Sequence, residues 1–130
     1  MMEANEPRRQ VKNFQDLVAW QKARCLVKVV YEASRKMPRE EVYGLTSQIR
    51  RAAVSVPSNI AEGYGRGSLN DYVRFLLTAR GSLYELQTQV LLGGDLEYIA
   101  PTQVDALIQQ SDEVSRVLQG LISSLTRLKE

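Results

Sequence analysis

The sequence predicts an all-α protein, an antiparallel up-down-up-down four-helix bundle, on three observations. Apolar residues recur at spacings of three and four over four long segments, short runs of Gly, Pro and capping residues separate those segments, and no strand-like alternation of useful length competes with them. A chain of 130 residues supports one domain with one core. Hydrophobic residues make up 44% of it with only two Phe and one Trp, so aliphatic side chains must do most of the packing. Residues 1–13 read as a flexible N-terminal tail, polar and mixed in charge, without the apolar core of a signal peptide. Residues 14–128 form the bundle domain, with helices at about 16–36, 39–62, 69–92 and 102–128.

Asp16 is placed to cap the first helix. Its main stripe is Ala19, Ala23, Leu26, Val30, Ala33 and Met37, beside a second stripe of Leu17, Trp20, Val27 and Tyr31. Cys25 falls in the same apolar stretch and reads as a packing residue. Pro38 supplies a break before the second helix, whose inward face is Val42, Leu45, Ile49, Ala52 or Ala53, Val56 and Ile60. Pro57 lacks an N–H and crowds the carbonyl of Ala53, which predicts a kink in helix 2, because helical periodicity resumes at Ile60. Gly63, Gly65 and Gly67 then stop it.

Ser68 followed by Asp71 has the pattern of a capping box for the third helix, with Asp in place of Glu or Gln. Leu69, Tyr72, Leu76, Ala79, Leu83, Leu86 and Val90 form its core stripe, and Val73, Leu77, Tyr84 and Leu91 a second one. Gly93-Gly94 is expected to end it. Thr102 and Asp105 repeat the capping arrangement for the fourth helix, along which Val104, Leu107, Ser111, Val114, Leu118, Leu121, Leu125 and Leu128 recur at heptad spacing. The doubled stripes exceed what the interior of one small bundle requires, so a homo-oligomer is expected to bury the excess.

Composition narrows the chemistry. Histidine is absent and Cys25 is the single cysteine. That leaves no intrachain disulfide, no His-dependent triad and neither of the commonest metal-ligand sets. The carboxylate pairs Glu40-Glu41 and Asp112-Glu113 are sequence neighbours and do not share a helix face. Neither an enzyme nor a cofactor site is expected, and no segment approaches the ~20 apolar residues of a membrane span. A cytoplasmic protein is the default.

Arg51, Ser55, Asn59 and Glu62 lie along one side of the second helix, and Arg80 interrupts an apolar edge of the third. If partly buried, these groups must be paired, which would set the register of helix 2; an ion pair from Glu62 to an Arg of helix 3, with Arg74 the level partner, is one form of it. Gly63-Tyr64-Gly65-Arg66-Gly67 mimics a nucleotide motif but follows a helix and lacks a closing Gly-Lys-Ser/Thr. It reads instead as termination and close backbone approach. Of Tyr64, Tyr72 and Tyr84, only Tyr64 is a fair candidate for exposure, since Tyr72 and Tyr84 fall in apolar stripes.

Charge is uneven. Residues 1–67 hold 12 Lys and Arg against 7 Asp and Glu, whereas 68–130 hold 5 against 8. Lys22, Lys28, Arg50, Arg66 and Arg74, together with Arg51, could therefore serve as a surface for nucleic acid or an acidic partner.

Leu17-Val18-Ala19-Trp20-Gln21-Lys22-Ala23, Leu45-Thr46-Ser47-Gln48-Ile49-Arg50-Arg51-Ala52, Val56-Pro57-Ser58-Asn59-Ile60-Ala61-Glu62-Gly63 and Ala79-Arg80-Gly81-Ser82-Leu83-Tyr84-Glu85-Leu86 carry a family likeness. Over roughly residues 14–128 the chain resembles the four-helix-bundle proteins encoded by intervening sequences of bacterial 23S rRNA genes. A more distant similarity is to the accessory variability determinant protein of diversity-generating retroelements. The resemblance implies a homopentameric ring acting as a non-enzymatic scaffold or adaptor. It also implies nucleic acid or a reverse-transcriptase-like protein as partner, although net charge +2 is a poor match to a strongly basic ring. Arg51, Pro57, Asn59, Glu62, Gly63, Arg80 and Gly81 match the family pattern, and the resemblance implies structural roles for them.

Overall fold

The computed structural model describes residues 11–128; the calls made on residues 1–10 lie outside them. Four helices, α1 (Val18–Ser34), α2 (Leu45–Tyr64), α3 (Leu69–Asp95) and α4 (Pro101–Leu128), pack around one core, and 3-10 turns at Phe14–Asp16 and Arg39–Glu41 complete the regular structure. Among the described residues there is no strand and no helix long and apolar enough to cross a membrane. Each helix meets two neighbours: α2 packs on α1 and α3, and α4 on α1 and α3. Residue numbers rise along α2 as they fall along α3, with Ser55 bonded to Ser82 and Gly63 against Tyr72 and Phe75.

Most of the main stripes of the first three helices is core, with Leu45, Leu69 and Tyr72 half-buried and Val42 exposed at their ends, and Val73 of the second α3 stripe buried. Ala19, Ala23, Leu26, Val30, Ala33 and Met37 are all buried, as are Ile49, Ala52, Ala53, Val56 and Ile60, and Leu76, Ala79, Leu83, Leu86 and Val90. On α4 the buried line is Leu107, Ser111, Val114, Leu118 and Ile122, so the expected step to Leu121 and Leu125 gives way to Ile122. A straight helix turns 3.6 residues at a time and drifts off a strict heptad, which is why the seam slips by one residue near its end.

Several helix ends differ from expectation. Asp16 closes a 3-10 turn in a capping box with Asn13, and α1 begins after Leu17 with no side-chain cap. The stretch from Arg39 to Gly44 is not part of α2. Tyr43 is 97% exposed and Val42 is exposed too, so a helix there would bury nothing. Gly44 takes a non-helical conformation (φ −113°, ψ −116°), and Glu41 Oε1 accepts from the Leu45 N–H at 2.9 Å at the start of α2. α2 then runs uninterrupted through Pro57 to Tyr64, with Gly65 as its C-cap.

Gly63 and the Gly93-Gly94 pair lie in the last turns of α2 and α3, which end at Tyr64 and Asp95, and they also serve packing. A Cβ on Gly63 would stand 2.7 Å from Phe75 Cβ, one on Gly93 2.6 Å from Ile99 Cδ1, and one on Gly94 2.9 Å from Val104 Cγ2. Absence of a side chain at these places lets α2 approach α3 and lets the 96–100 connector fold back on α3. The turn after α2 does need glycine, at Gly67 with φ +86°. Ser68 Oγ accepts from the Asp71 N–H as expected, whereas α4 starts at Pro101, leaving Thr102 inside its first turn.

Candidate functional site

Part of the polar stripe of α2 forms a small network at the α2–α3 seam. Ser55 Oγ and Ser82 Oγ are 2.8 Å apart, and Asn59 Nδ2 donates to Ser55 Oγ at 2.9 Å and to the Ser55 carbonyl at 2.8 Å. Arg51 and Glu62 do not join it: both are exposed. Glu62 Oε2 instead accepts from Arg66 Nη2 at 3.3 Å, and Arg74 Nη2 donates to Asp71 Oδ1 at 3.2 Å, so the expected pairing of Glu62 with an arginine of the third helix is not formed. Each arginine finds a carboxylate one helical turn away, closer than any cross-helix partner. Arg80 Nη1 bonds Gln119 Oε1 of α4 at 2.7 Å. Gly81 is exposed, and a Cβ there would meet nothing within 4 Å, so nothing inside the subunit requires glycine.

At the α2–α3 turn Arg66 and Arg74 flank the Phe75 ring, with guanidinium carbons 4.9 and 4.8 Å from its centroid. Tyr64 meets Tyr72 edge-on at 5.9 Å, and both are half-buried. Burial first, and Tyr64 second, push the Tyr72 hydroxyl up to about 12, so it holds its proton at neutral pH. Tyr84, expected in the core, is 55% exposed.

On the α1–α4 side Lys22 Nζ lies 2.6 Å from Glu113 Oε2, and this contact holds the Glu113 carboxyl below its ordinary range. Cys25, expected to pack, is exposed on the same side. It points away from the Ala19–Ala23–Leu26 line into a shallow cleft shared with Gln110 and Glu113. Sequence reading missed Glu41, which caps α2 and accepts the Tyr98 hydroxyl at 3.1 Å, a bond that raises the Tyr98 pKa. Its contacts come from residues 4 and 57 positions away, and the second cannot be seen in local pattern.

Two shallow clefts that share Val54 run along the outside of α1 and α2 as a groove. Trp20, Arg24, Val27 and Tyr31 line it from α1; Ser47, Arg50, Arg51, Val54, Pro57, Ser58 and Ala61 line it from α2. Arg24 stacks over Trp20 at 5.4 Å and Arg50 over Tyr31 at 4.7 Å, Arg50 being held by Nε donating to Ser34 Oγ at 2.8 Å. No carboxylate lies among the lining residues. The second exposed feature is a ridge on α3, where Leu77, Tyr84 and Leu91 are 40%, 55% and 51% exposed.

The basic residues proposed from sequence do not share one patch. Arg50 lies in the groove, Arg66 and Arg74 at the α2–α3 turn, Lys22 at the α1–α4 side, and Lys28 is exposed on α1. The shallow cleft that holds Cys25 also holds Lys22 and Glu113, which are paired with each other, and no group of three His, Cys, Asp or Glu among the described residues is arranged for a metal ion.

The model of the 23S rRNA-intervening sequence protein family matches residues 15–120. The chain belongs to that family. Among solved structures it is similar to a protein of unknown function from the S23 ribosomal protein family of Bacteroides thetaiotaomicron VPI-5482. The TM-score is 0.76 at 22% identity, over 82% of this chain and 96% of that one. That likeness is one of fold. No curated protein matches the chain. Family membership accounts for the bundle, and it names no reaction; neither match bears on the likeness to the retroelement accessory protein.

Proposed function

We propose that this chain is a non-enzymatic scaffold or adaptor that works as a homo-oligomer, five copies being the number the family resemblance implies. One observation carries the reading: Leu77, Tyr84 and Leu91 stand exposed in line on α3 while the outer groove of α1 and α2 exposes Tyr31, Val42 and Val54. Apolar side chains repeated at helical spacing on two outer surfaces are an association surface or an aggregation liability. Several bonded polar groups serve packing, since Ser55 with Ser82, Arg80 with Gln119 and Lys22 with Glu113 each join two helices. Light scattering across a range of protein concentrations tests it; a defined multimer is expected, and a monomer at every concentration contradicts it.

A second reading, direct nucleic-acid binding, draws on the guanidinium–aromatic stacks Arg24–Trp20, Arg50–Tyr31 and Arg66–Phe75–Arg74. Such pairs can stack on bases while their charge meets phosphate. Binding of generic RNA or single-stranded DNA at low ionic strength, falling steeply as salt rises, would favour it. Absence of binding at low salt removes it. A nucleic-acid-processing protein as partner is the adaptor form of the first reading, tested by co-purification with that protein.

A further inference from the structure

Beside the outer groove, and sharing Arg51 and Ser55 with it, a smaller cleft lies between α2 and α3. Gln48, Arg51, Ala52 and Ser55 line it from α2, and Glu85 and Gln89 from α3. Its volume of about 310 Å³ is at the low end for ligand sites, which suits a small polar molecule. No aromatic ring stands among the lining residues, so a nucleobase would have nothing to stack on. Ser55 is fixed in the wall by bonds of 2.9 Å from Asn59 and 2.8 Å with Ser82.

Gln89 gives the cleft an unfilled acceptor. The residue is 7% exposed, and its Oε1 is the one buried side-chain oxygen or nitrogen among the described residues without a hydrogen-bond partner. Buried polar atoms are bonded in the large majority of cases, so an orphaned acceptor calls for a donor that the chain itself does not supply. The oxygen is sealed from solvent as it stands. The terminal torsion of a glutamine is broad, however, and turning the amide toward the cleft breaks no bond to that oxygen.

Charge decides what kind of molecule carries the donor. Arg51 and Glu85 stand on opposite walls of the cleft, both exposed. Neither is in an ion pair, the pairs among the described residues being Lys22–Glu113, Arg66–Glu62 and Arg74–Asp71. A plain anion would suit Arg51 but face Glu85 and offer Gln89 no proton. A plain cation would suit Glu85 and Gln89 but face Arg51. A molecule with both charges a few bonds apart satisfies every one of these groups. Guanidinium takes a carboxylate in a two-pronged bond, and an ammonium has several N–H groups to divide between Glu85 and Gln89.

We propose that this cleft binds a free α-amino acid, its carboxylate on Arg51 and its ammonium shared between Glu85 and Gln89 Oε1. Ala52 is the only apolar lining residue, so small or polar side chains fit there better than large apolar ones. Bound in this way, the amino acid ties α2 to α3 and lets a scaffold respond to a small metabolite. The site is complete within one copy, and the proposal stands or falls independently of the oligomer reading.

Amide NMR of the full chain tests it, with glycine and the common L-amino acids added singly at millimolar concentration and acetate and methylammonium as half-molecule controls. At least one amino acid should shift the Ser55 and Gln89 amides saturably and raise the melting temperature, and neither control should do so. Arg51→Gln and Glu85→Gln, both at exposed positions, should each weaken that binding about tenfold or more and leave the melt without amino acid unchanged. Gln89→Leu removes the orphaned oxygen at similar side-chain length; it should abolish the shifts and melt no lower than the wild type. If that variant does not fold, the two charge variants decide. No response to any amino acid overturns the proposal and leaves the Gln89 oxygen to a water. Equal shifts with acetate reduce the site to an anion contact of Arg51 and overturn it too, as does binding that is unchanged in either charge variant.

Discussion

Helix α3 carries two apolar faces of similar composition and unequal fate. On the inner one Leu76, Leu83, Leu86 and Val90 are at most 1% exposed; on the outer one Leu77, Tyr84 and Leu91 are 40–55% exposed. Both repeat at intervals that suit helix packing, so propensity and hydropathy do not distinguish them. What differs is the opposing surface. Its two neighbours, α2 and α4, close over the inner face, and no described residue closes over the outer one. The inner face accounts for the fold, and the outer face is surplus to it.

Truncation sharpens the contrast most. Leu83→Ala should destabilise the subunit by about 2–5 kcal/mol, as buried leucines do when a cavity replaces them, read from the urea midpoint. Leu77→Ala, measured at a dilution where the protein is monomeric, should stay within about 0.5 kcal/mol. At high concentration Leu77→Ala should lower the melting temperature, because any interaction made only by folded copies adds to apparent stability. Equal effects at both positions and both concentrations would erase the distinction between the faces.

The seam of α2 and α3 offers the next test. Gly63→Ala forces a methyl to within 2.7 Å of Phe75 Cβ, backbone-borne atoms on both sides, and should cost about 1–3 kcal/mol by overpacking. Gly81→Ala, on the outer face with open space around it, should instead stabilise by about 0.4–1 kcal/mol through the unfolded chain, so thermal melts of the two variants should move in opposite directions. A smaller effect is expected at Ser82→Ala, which removes the buried partner of Ser55 and should cost about 1 kcal/mol in chemical denaturation.

Much of the inner face was legible in the sequence, and the outer face was legible only as an excess. The 3-4 repeats in the first three segments gave the buried residues nearly one for one, because burial on a helix is written in every turn. Glycine was harder. Gly63 read as both a stop and a close approach and Gly93-Gly94 as a stop alone, and all three lie in the last turns of their helices, where the side chain they lack would strike Phe75, Ile99 or Val104. A stop and a close approach leave the same letter in the chain, and only the neighbour tells them apart. The candidate network split for a related reason: Ser55 and Asn59 face Ser82, whereas Arg51 and Glu62, on the same side by spacing, are long enough and exposed enough to remain in water. Tyr84 was misplaced because a second stripe in a wide apolar helix has no sequence mark that says whether anything covers it, and Cys25 because an apolar stretch alone does not say which side of the helix faces in.

The smallest expected effect concerns pH and lies away from both faces. Lys22 holds the Glu113 carboxyl below its ordinary value, so the pair contributes above the unfolded carboxylate pKa of about 4.3 and is lost as pH falls through the lower folded value. Lys22→Ala should move the Glu113 titration upward in an NMR pH series and barely alter the melting curve at neutral pH, since both partners are exposed. A large loss of stability would mean that the α1–α4 contact depends on this pair more than on its apolar packing.

The central claim is that the outer face of α3 is made for a second copy of the chain. Sedimentation velocity of the wild type and of Tyr84→Lys, over the same range of concentrations, tests it most directly. The expected result is a single fast multimer for the wild type and a slow monomer with unchanged helicity for Tyr84→Lys. A wild type that sediments as a monomer throughout, or a Tyr84→Lys protein that sediments with the wild type, would contradict it.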